Sequence, residues 1–453
     1  MRKIIKIKEV LILSFIAGFS IFALLNYSLS QYEFALDLKN EGQLKRAGFW
    51  EIGPIEIDDQ DPLKNWSITA ATYNWCRGSG TWEDPYIIEN VTIDGQNNHN
   101  CIRIDNSDVY FTIRNCTLIN GVGEYWHSGG IRLENVTKGS LINNDCSFNQ
   151  QGIILRFSSN NTISRNTANK NTIHGITLYD QCNDTKIIGN TACFNSHCGI
   201  VIREKYTYYN GYNNLVINNN ASYNADIGLS LVFIENTEVS NNTAIHNGVY
   251  PSVGYGISVQ ASRNITISFN QVQSNGKGIN LFNIQECKIL NNTAISNEDS
   301  GIYIERCTNS IVLENNLSHN QRGIMLRSAS SDYDLSYNNS VSRNIAKNNY
   351  WGIYLFYTYN NTILENIAKD NFYGIYLRRC NQNNVSGNIL IGNNHCIIEI
   401  ECENNILENN YCDIPPKISG YNLIFIIGAI AISLIILFRK KRSREYRRDS
   451  DKV

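Results

Sequence analysis

A short phrase, Gly-Ile-x-Leu or a close variant, occurs eleven times between Gly130 and Leu377. Consecutive copies are 22 to 29 residues apart, and they begin at Gly130, Gly152, Gly175, Gly199, Gly228, Gly256, Gly278, Gly301, Gly323, Gly352 and Gly374. A degenerate twelfth copy, Cys396-Ile397-Ile398, follows. A fixed period of this size predicts a solenoid, in which each unit buries its apolar side only against its neighbours. Because solenoids carry many unrelated activities, the repeat constrains the fold much more than the function.

Two columns of asparagine accompany the phrase. One asparagine closes a strand-like segment in each unit, at Asn144, Asn166, Asn190, Asn220, Asn242, Asn270, Asn292, Asn316, Asn344, Asn366, Asn388 and Asn410. A second follows a few residues later, at Asn149, Asn171, Asn195, Asn224, Asn247, Asn275, Asn297, Asn320, Asn349, Asn371 and Asn393. Asn tolerates the left-handed conformation of tight turns, and its amide can bond the amide of the next unit. We therefore expect both columns to lie at turns and to be structural.

The segments between the asparagines alternate polar and β-branched residues, as in Asn161-Thr162-Ile163-Ser164-Arg165-Asn166. A period of two predicts about three short strands in each unit and no helix. Helical repeats would need longer units rich in helix formers, and leucine-rich repeats would need more leucine. The sequence thus predicts an all-β fold over residues 75–413, a parallel β-helix of about 14 coils with about 22 residues each, with the Ile and Leu of every phrase buried.

The two ends of the chain predict membrane targeting. Basic residues precede an apolar run at residues 10–25, which indicates a signal peptide or an N-terminal membrane segment within 1–30, followed by a lead-in at 31–74. After a linker at 414–420, the apolar residues 421–438 are followed at once by Arg439-Lys440-Lys441-Arg442. This layout predicts a transmembrane helix, with the tail 439–453 in the cytoplasm and the β-helix outside the cell.

Charge and cysteine content fit that location. The formal net charge is −2, but the first nine residues carry +3 and the last fifteen +5, which leaves −10 between them. Such acidity argues against nucleic acid as a partner.

Thirteen cysteines fit an oxidising compartment, and Cys380 and Cys402, at matching coil positions, are the pair to test first. Beyond residue 30, fourteen Asn-x-Ser/Thr sequons, with Asn65, Asn264 and Asn384 among them, would be available for glycosylation.

The repeat also resembles a known family. The stretch from Asn360-Asn361-Thr362-Ile363 to Gly374-Ile375-Tyr376-Leu377 is similar to the right-handed parallel β-helix repeat of NosD-like proteins and, more widely, of pectin-lyase-like carbohydrate-binding and sugar-hydrolase domains. The lead-in Gly78-Ser79-Gly80-Thr81-Trp82 is similar to the opening coils of such proteins, and Ile418-Ser419-Gly420-Tyr421 resembles archaeal surface-protein anchoring tails. The resemblance covers about residues 75–413 and the tail. It implies a right-handed β-helix, and it brings copper-enzyme assembly in as one possible role.

If the second and fourth residues of each phrase point inward, the third and fifth point outward. The third positions then present Arg132, Ser258, Asn280, Tyr303, Tyr354 and Tyr376. The fifth positions present Glu134, Arg156, Tyr179, Arg203, Phe282, Glu305, Arg327, Phe356 and Arg378. Aromatic rings beside Arg and Glu suit a sugar polymer, because the rings stack on apolar sugar faces and the charged groups bind hydroxyls and carboxylates. The alternative is an ordinary solvated sheet face.

Two units carry insertions at the same point after the phrase, and the inserted residues include Tyr208 and Tyr333. Insertions in a solenoid project from one edge, so both loops are predicted to flank the outward aromatic residues, unless they are simply tolerated loops. The carbohydrate-binding candidates are therefore Tyr303, Tyr354, Phe356, Tyr376, Arg327, Arg378, Glu305, Tyr208 and Tyr333.

Complete catalytic signatures are missing from the sequence. No string matches the motifs of polygalacturonases or alginate epimerases, and no pair of carboxylates stands out as a glycosidase would require. Copper sites need clustered Met, His or Cys, and only Cys193, His197 and Cys198 lie close together. We expect no cofactor and no metal. The sequence favours a surface-anchored protein that binds a polysaccharide or glycan; the alternatives are a hydrolase or lyase, a NosD-like copper-assembly accessory, and a passive scaffold.

Overall fold

The computed structural model describes residues 50–123, 127–204, 211–248, 254–328 and 336–413. The predicted signal peptide, transmembrane helix and cytoplasmic tail lie outside these residues, as do Tyr208 and Tyr333. Within the described ranges, no helix is long and apolar enough to cross a membrane. A short helix, Trp66–Thr72, precedes the main coils, and Oδ1 of its N-cap residue Asn65 accepts the Ile68 backbone N–H at 2.9 Å.

The described chain winds into a parallel β-helix with three sheets. Sheet 1 contains the Gly-Ile-x-Leu phrases, and its strands are Ile55–Asp58, Ile102–Ser107, Gly129–Val136, Gln151–Arg156, Ile176–Tyr179, Ile200–Arg203, Gly211–Tyr212, Ile227–Val232, Ile234–Glu235, Tyr255–Arg263, Lys277–Gln285, Ser300–Glu305, Arg322–Arg327, Trp351–Phe356, Tyr373–Arg378 and His395–Ile400. Sheet 2 follows it in each coil, and its strands are Cys76–Arg77, Tyr86–Glu89, Phe111–Arg114, Gly139–Ile142, Thr162–Ser164, Lys186–Ile188, Leu215–Ile217, Glu238–Ser240, Thr266–Ser268, Lys288–Leu290, Ile311–Leu313, Ser340–Ser342, Thr362–Leu364, Asn384–Ser386 and Ile406–Glu408.

Sheet 3 completes each coil. Its strands are Trp50–Ile52, Val91–Asp94 and Thr117–Ile119 at one end, and Thr243–Ile245, Gln271–Gln273, Thr293–Ile295, Asn316–Ser318, Ile345–Lys347, Ile367–Lys369, Ile389–Ile391 and Tyr411–Asp413 at the other. Single parallel bridges, from Thr117 through Asp145, Thr167, Thr191 and Asn220 to Thr243, connect the two groups. Apart from the antiparallel pair Cys76–Arg77 with Tyr86–Glu89, the strand pairs of the described chain are parallel. The predicted parallel β-helix of about 14 coils is confirmed.

The interior is apolar because every phrase points its Ile and Leu inward. Ile176, Ile279 and Ile353, which would face solvent if the register were wrong, are fully buried. The phrase begins with glycine because consecutive coils approach closely there. A Cβ built on Gly301 would lie 2.8 Å from the Gly323 carbonyl oxygen, closer than real Cβ atoms come.

Asparagine side chains connect the coils in continuous ladders. In the first column each Asn Nδ2 donates to Oδ1 of the Asn one coil further, as from Asn344 to Asn366 at 3.0 Å. The second column does the same, as from Asn371 to Asn393 at 3.1 Å. These side chains are almost fully buried. The predicted amide-to-amide contact is therefore present, and it satisfies polar groups that would otherwise be costly to bury.

Two details of the predicted columns are wrong. The first ladder passes through Asn219 and Asn315, not through Asn220 and Asn316. The left-handed residue of each turn also precedes the ladder asparagine, as at Asn291 (φ 55°) before Asn292. In runs of two or three asparagines the composition could not distinguish the residue at the turn from the residue that points inward.

A third ladder, which the sequence analysis did not identify, runs along the corner between sheets 1 and 2. It consists of Asn339, Asn361, Asn383 and Asn405, and its Nδ2 to Oδ1 distances are all 3.1 Å. These residues are the second asparagine of the Asn-Asn-Ser/Thr phrase or its equivalent. The repeated phrase was visible in the sequence, but its structural role was not.

The predicted pairing of Cys380 with Cys402 is wrong. Both thiols are free, and the Cys380 backbone N–H donates to the Cys402 sulfur at 3.4 Å. A disulfide instead joins Cys396 to Cys412 across the last described coil. The chain folds Cys396 in sheet 1 and Cys412 in sheet 3 toward each other within a single turn, a contact that matching coil positions do not predict.

Candidate functional site

The outward side chains of sheet 1 form three columns over the coils from Tyr255 to His395. We call this surface the aromatic face. The third and fifth positions of the phrase supply two columns, as predicted. The residue immediately before each glycine supplies the third column, whose members in register are Tyr255, Lys277, Ser300, Arg322, Trp351, Tyr373 and His395.

The middle column of the aromatic face is largely covered by its neighbours. Tyr303, Met325 and Tyr354 form a small hydrophobic cluster outside the main core, and they are only 7%, 5% and 9% exposed. Phe356 and Tyr376 pack against this cluster. Tyr303 and Tyr354 therefore support the surface from below, and their rings are not open platforms.

The exposed aromatic surface lies beside that cluster. Trp351 and Tyr373 stack with ring centroids 6.3 Å apart, and Tyr373 stacks on His395 at 5.1 Å. At the adjoining corner, Tyr350 and Phe372 are 4.9 Å apart, nearly parallel, and 45% and 36% exposed. These rings form a continuous apolar surface across the last coils of sheet 1.

A network of charged groups lies at the other end of the aromatic face. Nζ of Lys277 is 3.3 Å from the centroid of the Tyr303 ring and 3.3 Å from Oδ1 of Asn280. The Tyr303 hydroxyl donates to Oε2 of Glu305 at 2.6 Å and accepts from Nη1 of Arg327 at 3.3 Å. The aromatic, cationic and anionic groups of three consecutive coils thus meet at Tyr303.

Burial changes the ionisation of this network. Burial is the main reason that the pKa of Lys277 falls to about 8; Glu305 opposes this shift, and the nearby Arg327 and Arg322 contribute to it. Burial and the contact with Glu305 raise the pKa of Tyr303 well above its usual range. Lys277 is therefore a cation below about pH 8, held in a cavity of aromatic rings rather than by a carboxylate.

Four buried polar atoms of the aromatic face have no hydrogen-bond partner within the described protein. They are Oγ of Ser300, Nε of Arg322, Nε of Arg327 and Nε1 of Trp351. Buried polar groups are nearly always paired in native structures. Their concentration on one surface is consistent with groups that bond to a ligand or to ordered water.

The predicted site residues are largely brought together. Tyr303, Tyr354, Phe356, Tyr376, Glu305, Arg327 and Arg378 all lie on the aromatic face, and Arg378 lies 5.8 Å from the centroid of the Phe356 ring. The described residues before the two insertions end at Glu204 and at Ser328, and Tyr208 and Tyr333 themselves lie outside the described residues. The groove that these loops were predicted to form remains a prediction.

Sequence reasoning missed the third column, including Lys277, Arg322, Trp351 and Tyr373. The sequence did contain a signal for it, because these residues recur in register immediately before the glycine. Strict alternation carried back through the glycine would point these residues inward, whereas Lys277 contacts the outward Tyr303 and Asn280. Arg322 contributes a cation beside the aromatic rings: it pairs with Asp299, and its Cζ lies 5.1 Å from the Trp351 ring centroid.

Family models match most of the β-helix. Residues 75–208 match the model described as a right handed beta helix region, and residues 234–338 and 332–422 match NosD, described as a periplasmic copper-binding protein. Parts of the chain thus match the right-handed β-helix and NosD models, as the resemblance implied. No curated protein sequence matches the chain.

Among solved structures, the chain is similar to the A-module of the mannuronan C-5 epimerase AlgE6 from Azotobacter vinelandii, with 16% identity, a TM-score of 0.44, and coverage of 82% of this chain and 92% of that one. It is also similar to the catalytic domain of a GH87 alpha-1,3-glucanase in complex with nigerose, with 13% identity, a TM-score of 0.42, and coverage of 81% and 60%. A third similar structure is a mutant of the periplasmic alginate epimerase AlgG, with 14% identity, a TM-score of 0.38, and coverage of 80% and 84%.

The residues of the described chain do not fit a copper centre. No three His, Cys, Asp or Glu side chains converge there in a way that could hold a metal ion. The rings of His174 and His197 are 5.8 Å apart, but Nδ1 of His174 already accepts the Cys198 backbone N–H at 3.1 Å. Burial raises the pKa of Cys193 and raises that of Cys198 to about 12, so both thiols stay protonated, whereas metals bind the thiolate.

Proposed function

We propose that the protein binds a polysaccharide or another glycan through the aromatic face. The observation that carries the proposal is the continuous surface of Tyr350, Trp351, Phe372 and Tyr373 next to unpartnered buried polar atoms of Arg322 and Arg327. Aromatic rings stack on the C–H faces of sugar rings, and arginines bind hydroxyl and carboxylate oxygens. Both kinds of group occur on one side of the β-helix.

Binding without cleavage is favoured over hydrolysis. A glycosidase needs two carboxyl groups on opposite sides of the scissile bond. On the described part of the aromatic face, Asp299 pairs with Arg322, and Glu305 accepts from Tyr303 and lies 3.8 Å from Arg327. Both carboxylates are thus engaged with other side chains of the surface.

The test uses the full-length protein and a panel of soluble polymers: starch, galactomannan, xyloglucan, alginate and polygalacturonate. Affinity is measured by isothermal titration calorimetry, and each polymer is examined for chain length and unsaturated ends after long incubation. We expect at least one polymer to bind and to keep its length. Shortened or unsaturated products would favour a hydrolase or lyase, and the absence of any binding would favour a passive scaffold.

We also propose that the β-helix stands outside the cell on a membrane anchor. The apolar residues 421–438 and the basic cluster from Arg439 to Arg442 support this arrangement, with a lead-in before residue 75 and the tail 439–453 in the cytoplasm. Protease added to intact cells should digest the β-helix and spare a tag at the C-terminus. Protection of the β-helix in intact cells would contradict the anchor and its orientation.

A further inference from the structure

A second unusual surface lies on sheet 1, near its N-terminal end. A cavity of about 590 Å³ is lined by Asp58, Arg103, Asp105, Arg132, Glu134 and Phe157, together with two asparagines. We call it the N-terminal cavity. It belongs to the same outward side of the sheet as the aromatic face. Its strand Gln151–Arg156, which ends next to Phe157, is eight strand spacings from Trp351–Phe356, about 38 Å.

Register places the charged groups of the N-terminal cavity in two columns. Asp58, Asp105 and Glu134 are stacked on three consecutive coils, and Arg103 and Arg132 are stacked beside them. Nη2 of Arg103 lies 2.6 Å from Oδ2 of Asp105, and Arg132 pairs with Glu134. The cavity therefore offers hydrogen-bond donors and acceptors side by side. Arg156 adds a third guanidinium group, 3.3 Å from Glu134, so the guanidinium groups at this surface are paired with carboxylates.

Three buried atoms in this lining have no hydrogen-bond partner among the described residues: Nε of Arg103, Oδ1 of Asp105 and Nε of Arg132. The Asp105 side chain is only 9% exposed, and burial raises its pKa more than the adjacent Arg103 lowers it. An unsatisfied buried group costs about 1–3 kcal/mol. Rotation of the carboxyl or guanidinium groups toward hydroxyls in the cavity would supply the missing bonds.

Phe157 gives the cavity an apolar wall that its backbone does not favour. It adopts a left-handed conformation (φ 47°) at a corner where the neighbouring coils have Asn106, Asn135 and Asp180. A left-handed conformation costs a residue with a Cβ about 1–2 kcal/mol. Its ring is nevertheless 42% exposed, and Arg156 lies 5.1 Å from the ring centroid. Exposed left-handed aromatic residues occur at other corners too, so Phe157 is distinguished by its place in the lining of the N-terminal cavity.

We propose that the N-terminal cavity is a second subsite for a neutral, hydroxyl-rich stretch of the same polymer, with Phe157 stacking on a sugar ring. The inference rests on the proposed function of the aromatic face. Paired carboxylates and guanidinium groups match neighbouring hydroxyls, each of which donates and accepts. Because the guanidinium groups are already paired with carboxylates, the surface favours hydroxyls over acidic sugars. A chain that lies along sheet 1 would reach both surfaces.

The two subsites predict that affinity depends on polymer length. A chain that spans about 38 Å occupies both surfaces and gains from the high effective concentration of its second segment, whereas a short oligosaccharide occupies one. The probes are starch, galactomannan and xyloglucan, each as the intact polymer and as a short oligosaccharide derived from it. For a polymer that binds, we expect affinity per chain to be at least tenfold higher than that of its oligosaccharide.

Phe157→Gly tests the cavity without straining the fold, because glycine adopts φ > 0 freely. The matched control is Phe233→Gly, at the same corner in another coil, where Phe233 also has a positive φ (59°). We expect Phe157→Gly to lower affinity for the intact neutral polymer about tenfold or more and to leave oligosaccharide binding at the aromatic face unchanged. Phe233→Gly should have no effect on either.

The outcomes separate the two proposals. If Phe157→Gly binds the intact polymer as the parent does, the second subsite is wrong and the proposed function stands. If only alginate or polygalacturonate binds, a neutral-sugar subsite is wrong. If no polymer binds the parent protein, both proposals are wrong.

Discussion

Asn270 and Asn292 are joined twice through a single oxygen. Both the backbone N–H and Nδ2 of Asn270 donate to Oδ1 of Asn292, at 2.9 Å each. Nδ2 of Asn270 also donates to the Val239 carbonyl of the preceding coil at 2.9 Å. One side chain thus connects three consecutive coils, and the same arrangement repeats along the first ladder.

Replacing a ladder asparagine should destabilise the fold far more than replacing its neighbour. Asn292→Ala removes the acceptor of two Asn270 donors and the donor to the Ile267 carbonyl, so we expect a loss of about 3 kcal/mol or more in the free energy of unfolding. Asn291→Gly, at the exposed left-handed position, is the control and should change it by less than about 0.5 kcal/mol. Urea denaturation measures both, and equal effects would contradict a structural ladder.

The aromatic face predicts a loss of binding that is separable from stability. Tyr373→Ala with Tyr376→Ala removes two rings from its last coils, and at about 0.5–1.5 kcal/mol per aromatic contact the affinity for the bound polymer should fall about tenfold. The control is Tyr337→Ala with Tyr359→Ala, a stacked pair away from this surface with centroids 5.4 Å apart. If both double variants bind like the parent, the aromatic face is not the binding surface.

Lys277 should make stability depend on pH in a defined window. Burial lowers the pKa of Lys277 from 10.5 to about 8 in the folded protein, so between these values the unfolded chain holds more protons. The contribution of Lys277 to the free energy of unfolding therefore rises with pH from about 8 to about 10.5. The stability of the parent relative to Lys277→Met should increase between pH 7 and pH 10, as measured by urea denaturation.

The comparison between parent and variant is needed because the buried thiols change the stability with pH in the opposite direction to Lys277. Burial raises the pKa of Cys116 to about 12, for example, so above about pH 9 the unfolded chain loses protons that the folded protein keeps. That effect destabilises both proteins equally and cancels in the difference. A difference that stays constant with pH would contradict a buried Lys277.

The Cys396–Cys412 disulfide should stabilise the last described coil locally. It closes a loop with a sequence separation of 16, for which chain entropy predicts about 3 kcal/mol. In Cys396→Ser with Cys412→Ser, we expect faster amide hydrogen exchange in His395–Ile400 and Tyr411–Asp413, with little change before Ser300. Unchanged exchange in these strands would show that the disulfide contributes nothing to their order.

The repeat predicted the fold because its period, its buried positions and its turn residues all indicate a parallel β-helix. The site was harder to predict. Strict alternation placed Tyr303 and Tyr354 outside the core, which is correct, but it could not show that Lys277, Arg322 and Trp351 cover them. Side-chain length and packing between adjacent columns determine that coverage. Whether Asn219 or Asn220 belongs to the first ladder depends on which residue of the turn is left-handed. Any asparagine of a run can adopt that conformation, so the sequence alone does not identify it.

The first asparagine ladder presents the same chemical group on both sides of every coil. Asn190 reaches Asn219 across 29 residues at 3.0 Å, the distance at which Asn366 reaches Asn388 across 22. Extra residues between two sheets leave this junction unchanged. Duplication or loss of one whole unit would therefore give a longer or shorter β-helix with intact junctions. The length of such a β-helix can thus evolve independently of its outward side chains.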